Sequence, residues 1–184
     1  MGHLLSTKSS LVPLIDRLNR YPIGLVDSEK LREILSILFS EDEAFIASKF
    51  PLQEATLDEL VEVTGIDGQT LRDHLESMAD KGLVMDLPYS GDTYYLLMPG
   101  LIGFMEFTFM RNRTDLPMKK LAELMTEYLL ESGQEGQAGE FFGSKTQLTR
   151  ALVYKEHIPT DSRITSYEDA RQIIMEADFC AVTH

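Results

Sequence analysis

The sequence predicts a mainly α-helical fold with a small β component. Three observations support this prediction. Residues that cap helix starts recur along the first half of the chain, a glycine follows the last helix predicted there, and two short apolar runs come directly after that glycine. The hydrophobic share of 43% and the charged share of 26% are those of an ordinary globular protein. With 184 residues, the chain can bury one substantial core.

The first predicted helix follows an N-terminal arm of residues 1–27, in which only a short helix around residues 14–18 is expected. A helix is predicted from Ser28, because apolar residues recur there at the spacing of one buried helical face: Leu31, Ile34, Leu35 and Leu38. Ser40 and Glu43 form a capping pattern that predicts a second, short helix, and Pro51 ends it.

Two more helices around a tight turn are predicted next. Thr56 and Glu59 repeat the capping pattern, and Gly65 ends the helix that they begin. The other helix follows Asp67 and ends at Gly82, where glycine can adopt the left-handed conformation. The expected apolar residues are Leu57, Leu60, Val61 and Val63 in one helix, and Leu71, Leu75, Met78 and Ala79 in the other. This arrangement is typical of a helix-turn-helix.

A β-hairpin is predicted directly after these helices. Residues 83–87 and 93–98 are rich in apolar and β-forming residues, and five residues typical of turns separate them. A hairpin after a helix-turn-helix forms a wing. Residues 28–99 are therefore predicted to form a winged helix-turn-helix domain.

Residues 100–145 are predicted to form a helical segment and a glycine-rich hinge at residues 133–143. Three aromatic residues there predict a core segment, with a partner-binding surface as the alternative: Phe104, Phe107 and Phe109. A helix beginning at Pro117 has an apolar stripe that suits either the fold or a homodimer: Leu121, Leu124, Met125, Tyr128 and Leu129.

Residues 146–184 are predicted to form a strand-helix segment, with a strand over residues 148–154 and a helix from Ser166. Its inward residues are expected to be Tyr167, Ala170, Ile173, Ile174 and Ala177. The chain ends without a polar tail, and we expect it to be a fragment of a longer protein.

The predicted helix-turn-helix is poorly charged for binding DNA. The whole chain carries a net charge of −13, and residues 57–83 contain two basic residues against seven acidic ones. Residues 84–98 contain no Lys or Arg. A protein partner, or a second copy of the chain, is therefore expected rather than nucleic acid. The alternative is a transcription regulator whose second helix contacts bases through Gln69, Thr70, Arg72 and His74.

The DNA-binding alternative would regain support if the fold gathered basic residues from outside this module into one positive face beside the second helix of the helix-turn-helix. The residues that could do so are Arg17, Arg20, Arg111, Arg113, Lys119 and Lys120.

No catalytic or metal-binding motif is evident. The four histidines, at positions 3, 74, 157 and 184, lack metal-ligand spacing, and the neighbours Glu156 and His157 would point to opposite faces of a strand. The single cysteine, Cys180, cannot form an internal disulfide, which suits a reducing compartment. No apolar run reaches the roughly 20 residues of a membrane span, and no signal peptide is evident. These features predict a cytoplasmic protein that is not an enzyme.

Four stretches carry a resemblance to a known family: residues 31–39, residues 57–84, the segment FMEFTFMR at residues 104–111, and the stretch from Ile158 that contains SYEDARQIIMEADFCAVTH. Together they resemble prokaryotic four-iron four-sulfur ferredoxin-like proteins, in which a winged-helix front half precedes cluster-binding cysteine motifs.

The resemblance implies that a longer parent protein carries electrons on 4Fe-4S clusters, and that the present residues dock it to a redox partner or to a copy of itself. Cys180 lies before the place where the family's cluster ligands begin, so no ligand is assigned in this chain. No cofactor is expected in these 184 residues, because each cluster needs four thiolates.

Overall fold

The computed structural model describes residues 11–111, 113–130, 136–143 and 167–176. The chain divides into two compact units, Met1–Lys145 and Thr146–His184. The architecture is mainly α-helical with a small antiparallel sheet, which confirms the predicted fold class. No helix formed by the described residues is both long enough and apolar enough to cross a bilayer.

Helix α1, residues 11–18, belongs to the core, so the prediction of an arm is wrong for residues 11–27. Val12 is exposed, whereas four other apolar residues of the helix recur at the spacing of one helical face and are buried: Leu11, Leu14, Ile15 and Leu18. Arg17 is buried as well. Its Nε donates a 2.6 Å hydrogen bond to the carbonyl oxygen of Phe50, and its guanidinium also donates to the carbonyl of Pro51. Arg17 thus links α1 to the backbone of residues 50 and 51.

Helices α2, Glu29–Leu38, and α3, Glu41–Lys49, begin where the sequence predicts. The Ser28 hydroxyl accepts a hydrogen bond from the backbone of Leu31, and Ser40 and Glu43 form the complete capping box. The four residues predicted to form the inner face of α2 are all buried.

The helix-turn-helix consists of α4, Leu57–Thr64, and α5, Gly68–Asp80. The Thr56 and Glu59 capping box is present, and Gly65 takes the left-handed conformation at φ 72°. A short strand, β1, Ala55–Thr56, precedes α4 and is absent from the sequence prediction. Val63, one of the four apolar residues expected in this helix, is half-exposed, and Leu60 is the buried centre of α4.

The hairpin consists of β2, Val84–Tyr89, and β3, Asp92–Leu97. A two-residue turn joins the strands, with Ser90 at φ 55° and Gly91 at φ 95°, as a type I′ turn requires. The turn is shorter than the five residues predicted, because both strands extend further towards it. Strand β3 lies between β1 and β2, so the elements from α3 to β3 have the order and sheet topology of a winged helix-turn-helix.

A kinked turn, Gly100–Phe104, and helix α6, Met105–Phe107, follow the hairpin. Ile102 lies in the left-handed region at φ 53°, which is a strained conformation for a β-branched residue. The Glu106 carboxylate supports this backbone by accepting hydrogen bonds from the backbone N–H groups of Ile102 and Gly103, at 3.1 and 2.8 Å.

Helices α7, Met118–Leu130, and α8, Gln137–Gly143, complete the described part of the first unit. The Gln137 side chain is buried. Its amide donates to the carbonyl of Gly24 at 3.0 Å, and its oxygen accepts from Val26 N at 2.8 Å and from the Tyr128 hydroxyl at 2.6 Å. The predicted hinge is therefore a packed helix over residues 137–143, held in place by an amide of which two partners, Gly24 and Val26, lie more than 100 residues earlier.

Helix α9, Tyr167–Glu176, lies in the second unit. It begins one residue after the predicted start. Ile173 is exposed rather than inward. The strand predicted over residues 148–154 lies outside the described residues.

One buried ion pair joins four segments of the first unit. Glu43 and Lys81 are only 2% and 9% exposed, and their charged groups are in direct contact. The Glu43 carboxylate also accepts hydrogen bonds from Ser40 N and Ser77 Oγ, both at 2.8 Å. Lys81 Nζ donates to the carbonyl of Leu38, and the Lys81 carbonyl accepts from Thr108 Oγ1. Burial raises the pKa of Glu43, but the hydrogen bonds from Lys81 and Ser40 outweigh it and leave the pKa below its ordinary value.

Removal of the Lys81 amine should strongly destabilise the fold. We expect Lys81→Ala to lower the free energy of unfolding by about 3–5 kcal/mol, because it leaves the Glu43 carboxylate buried without its counter-charge. A matched control is Lys120→Ala, which breaks the exposed ion pair with Glu33 and should cost at most about 1 kcal/mol. Urea denaturation measures both effects. Equal losses in the two variants would contradict the structural role of Glu43–Lys81.

Candidate interaction surface

The start of α5 is the part of a helix-turn-helix that a nucleic-acid phosphate would approach. Two of its backbone N–H groups are already occupied, because Asp67 Oδ1 accepts hydrogen bonds from Gln69 N at 3.1 Å and from Thr70 N at 3.2 Å. Hydrogen bonds to Thr70 hold the pKa of Asp67 below its ordinary value, so this carboxylate stays charged at neutral pH. An anion at the same place would meet a negative charge.

The four predicted DNA-contacting residues lie together on α5. Gln69, Thr70 and Arg72 are exposed, and His74 is half-buried. The Gln69 amide is engaged within the helix, where Nε2 donates a 2.9 Å hydrogen bond to Asp73 Oδ1. Arg72 is the only Lys or Arg on α4 and α5, since Lys81 follows α5 and is buried against Glu43.

Of the six outside basic residues that could have formed a positive face beside α5, four are buried or paired with a carboxylate. Arg17 is buried, and Lys120 pairs with Glu33 of α2 at 2.6 Å. Arg111 and Arg113 do reach the end of α5. Arg111 pairs there with Asp80 at 2.7 Å, and Arg113 donates to the Asp80 carbonyl while its guanidinium also pairs with Asp115. Their charges are therefore balanced locally.

Charged groups of α5 and β2 act on the Tyr95 hydroxyl. Burial raises the pKa of Tyr95, the Arg72 charge lowers it, and the charges of Glu76 and Asp86 raise it further. Asp86 lies opposite Tyr95 in the strand register, so it shares the side of the hairpin on which Tyr95 is buried. The two carboxylates that act on the Tyr95 hydroxyl outnumber the single guanidinium.

The opposite side of the hairpin is mostly apolar and is partly exposed to solvent, with Asp92 beside Tyr89 at its tip. The strand register pairs Met85 with Leu96 and Leu87 with Tyr94, and Tyr89 lies two residues beyond Leu87. These five residues therefore share one side, which we call the outer wing face. Leu87 is 39% exposed and Tyr89 is 73% exposed. The Tyr89 and Tyr94 rings meet edge to face with centroids 6.5 Å apart.

Strand β2 is an edge strand of the sheet. One hydrogen bond next to its first residue determines which of its backbone N–H and carbonyl groups face β3 and which face away. Met98 N donates to Leu83 O at 2.9 Å, which makes Leu83 and Met98 a hydrogen-bonded pair. Because such pairs alternate in antiparallel sheets, Met85 and Leu87 direct their backbone groups towards β3. Val84, Asp86 and Pro88 direct theirs to the free edge.

A cavity of about 250 Å³ lies beside this free edge. Val84, Met85 and Asp86 line one side, and Phe107, Met110 and Arg111 line the other. Gly82 lies at its base, where a Cβ would come within 2.9 Å of the Phe107 backbone. Glycine is needed at this position both for that close approach and for its φ of 74°.

The residues proposed from the sequence as a partner surface divide between core and surface. Phe104, Leu121, Met125 and Tyr128 are buried, so they cannot contact a partner without unfolding. Phe107 and Leu124 are half-buried, and Phe109 is 37% exposed. A second, apolar groove of about 280 Å³ lies between α6 and α7, with Phe109 on its rim and Leu101, Met105 and Leu129 along its walls.

No metal centre is evident in the part of the chain that the structure describes, where no three His, Cys, Asp or Glu side chains come together. Cys180 and three of the four histidines lie outside the described residues. The whole chain has one cysteine, so its residues do not fit a four-iron cluster held by four thiolates.

The outer wing face and the free edge were missed by the sequence analysis, although a signal for the wing face was present. Met85, Leu87 and Tyr89 alternate along β2, while Val84, on the other side of the strand, is buried. A strand with apolar residues on both sides predicts either burial on both sides or an unpartnered apolar surface.

Comparison with known proteins finds no matching family model, no similar curated protein and no similar solved structure.

Truncation of the outer wing face should leave the fold intact. We expect Leu87→Ala to change the free energy of unfolding by less than about 1 kcal/mol, because its side chain is exposed. Leu97→Ala, on the buried side of the same hairpin, should cost about 2–5 kcal/mol. Urea denaturation of both variants tests this difference. A loss at Leu87 as large as that at Leu97 would mean that the outer face is packed.

Proposed function

We propose that this chain is a protein-docking module, in which a winged helix contacts another polypeptide instead of DNA. The observation that carries the proposal is the Asp67 carboxylate on the first backbone N–H groups of α5. A DNA-binding helix-turn-helix places the start of its second helix in the major groove, between two phosphate backbones, and here a fixed negative charge stands at that start.

The charges around α5 and the hairpin support the same proposal. Non-specific DNA affinity comes from Lys and Arg that neutralise phosphates. Arg72 alone supplies such a charge on α4 and α5, and the hairpin supplies none. The surface that DNA would approach therefore repels it at neutral pH.

The outer wing face supplies what a protein interface needs. Exposed tyrosine beside aliphatic residues is typical of the centre of protein interfaces, where large apolar area is buried and charged residues are depleted. Leu87, Tyr89 and Tyr94 provide such a group on a rigid two-stranded support. The proposal assigns no catalytic step to the chain and places it in the cytoplasm, where a single cysteine suits a reducing environment.

The rival function, DNA-dependent regulation, is favoured by the exposure of Gln69, Thr70 and Arg72 on one helix. A fluorescence titration with mixed-sequence duplex DNA at low salt separates the two functions. We expect no saturable binding in the range of non-specific affinity, about 10⁻⁴–10⁻⁶ M.

A charge-reversed variant provides the control for this titration. Asp73→Lys combined with Glu76→Lys should gain salt-sensitive binding, because it changes the charge of the same helix face by four units. Binding by the unaltered protein that weakens steeply with salt and disappears in Arg72→Ala would overturn the docking proposal in favour of DNA recognition.

We further propose that the docking serves electron transfer in a longer protein. The support is the resemblance of residues 31–39, 57–84, 104–111 and the stretch from Ile158 to four-iron four-sulfur ferredoxin-like proteins. In this proposal the present residues hold no cluster, and they bring a cluster-carrying segment to its redox partner or to a second copy.

The nucleotide sequence after the codon for His184 tests the electron-transfer proposal independently of DNA binding. We expect an open reading frame that soon encodes closely spaced cysteines, since each 4Fe-4S cluster takes four thiolates. A stop codon, or a long continuation without such cysteines, would remove the electron-transfer proposal and leave the docking proposal standing.

A further inference from the structure

We infer that the free edge of β2 binds an extended, positively charged segment of a partner protein, which adds to the sheet as a fourth strand. This inference rests on the proposed docking function and names the partner's chemistry. Three features of the edge support it: its backbone groups, the space beside it and its charge.

The first feature is the set of backbone groups that β2 directs to the free edge. Val84 and Asp86 direct their N–H and carbonyl groups away from β3, as the alternation from the Leu83–Met98 pair requires. An edge strand with such groups is a template for a further strand. Pro88, two residues on, has no N–H to offer, so pairing at the free edge is limited to the base of β2.

The second feature is the space beside the free edge. The cavity of about 250 Å³ lies between β2 and the segment from Phe107 to Arg111. It is smaller than the roughly 300–1,000 Å³ of a typical small-molecule pocket. It lies instead where an added strand would place side chains, and Met85, Phe107 and Met110 give it an apolar lining.

The charge of the edge selects the partner. Asp80 and Arg111 on the cavity wall form an ion pair at 2.7 Å and balance each other. Asp86 remains on the edge itself, and residues 84–98 contain no Lys or Arg to offset its charge. A strand that carries Lys or Arg at alternate positions complements this net negative charge.

A second copy of the chain is a poorer occupant of this edge. Pairing of β2 with β2 would bring the two Asp86 carboxylates close together, and residues 84–98 contain no Lys or Arg to offset them. The occupant is therefore a different polypeptide.

A synthetic peptide with the sequence VKVKVKVKV serves as the probe, and hydrogen exchange of the ¹⁵N-labelled protein is the measurement. We expect the peptide to slow exchange at the amides of Val84 and Asp86. The amides of Met85 and Leu87 should change little, because they already pair with β3. The glutamate peptide VEVEVEVEV should have no effect.

Charge reversal at the edge provides the matched test. Asp86→Lys should weaken binding of the lysine peptide by about fivefold to tenfold and allow binding of the glutamate peptide, whereas Asp92→Lys makes the same change at the hairpin turn and should alter affinity by less than about twofold. Peptide binding without protection of Val84 and Asp86, equal effects of the two variants, or no binding of the lysine peptide would each overturn the inference. The docking proposal would survive these outcomes, because it fails only if the protein binds DNA in the salt-sensitive manner described above.

Discussion

The buried contact between Glu43 and Lys81 determines how the helix-turn-helix sits against the rest of the first unit. Glu43 caps the start of α3 and at the same time receives Lys81 and Ser77 from the end of α5. Lys81 continues the connection through Leu38 at the end of α2 and Thr108 after α6. A charge buried in this way is tolerated only when every neighbour supplies its hydrogen bond, so the four segments must be placed together. The cavity beside β2 lies directly after this junction, between Gly82 and Phe107.

Most helices could be predicted from the sequence, because their signals are local. Ser40 with Glu43 and Thr56 with Glu59 satisfy backbone groups within four residues, so the printed sequence contains both partners. The order of helix, turn, helix and hairpin follows from these starts and from the glycines that end the helices. The same local signals do not reveal that the Glu43 side chain also neutralises a lysine 38 residues away.

The features that escaped prediction depend on distant partners. Arg17 looks like a surface residue of an arm until the carbonyls of Phe50 and Pro51 are placed beside it. Gln137 lies among glycines that indicate a hinge, yet its amide binds Gly24 and Val26. The apolar stripe on α7 could be predicted, but only the fold decides that Tyr128 and Met125 are buried. The fold likewise decides that Phe109, which precedes α7, lies at a groove. For the candidate surface, the sequence predicts the sign of the charge, and the structure adds the outer wing face and the free edge.

The docking proposal requires that the face formed by α5 and the hairpin is negative in solution. The sign of this charge can be measured directly by comparing how a cationic and an anionic nitroxide, free in solution, broaden the backbone amide signals of the ¹⁵N-labelled protein at low salt. The account predicts stronger broadening by the cationic nitroxide at residues 67–76 and 86–92, fading as salt is added. Stronger broadening by the anionic nitroxide at these residues would contradict it.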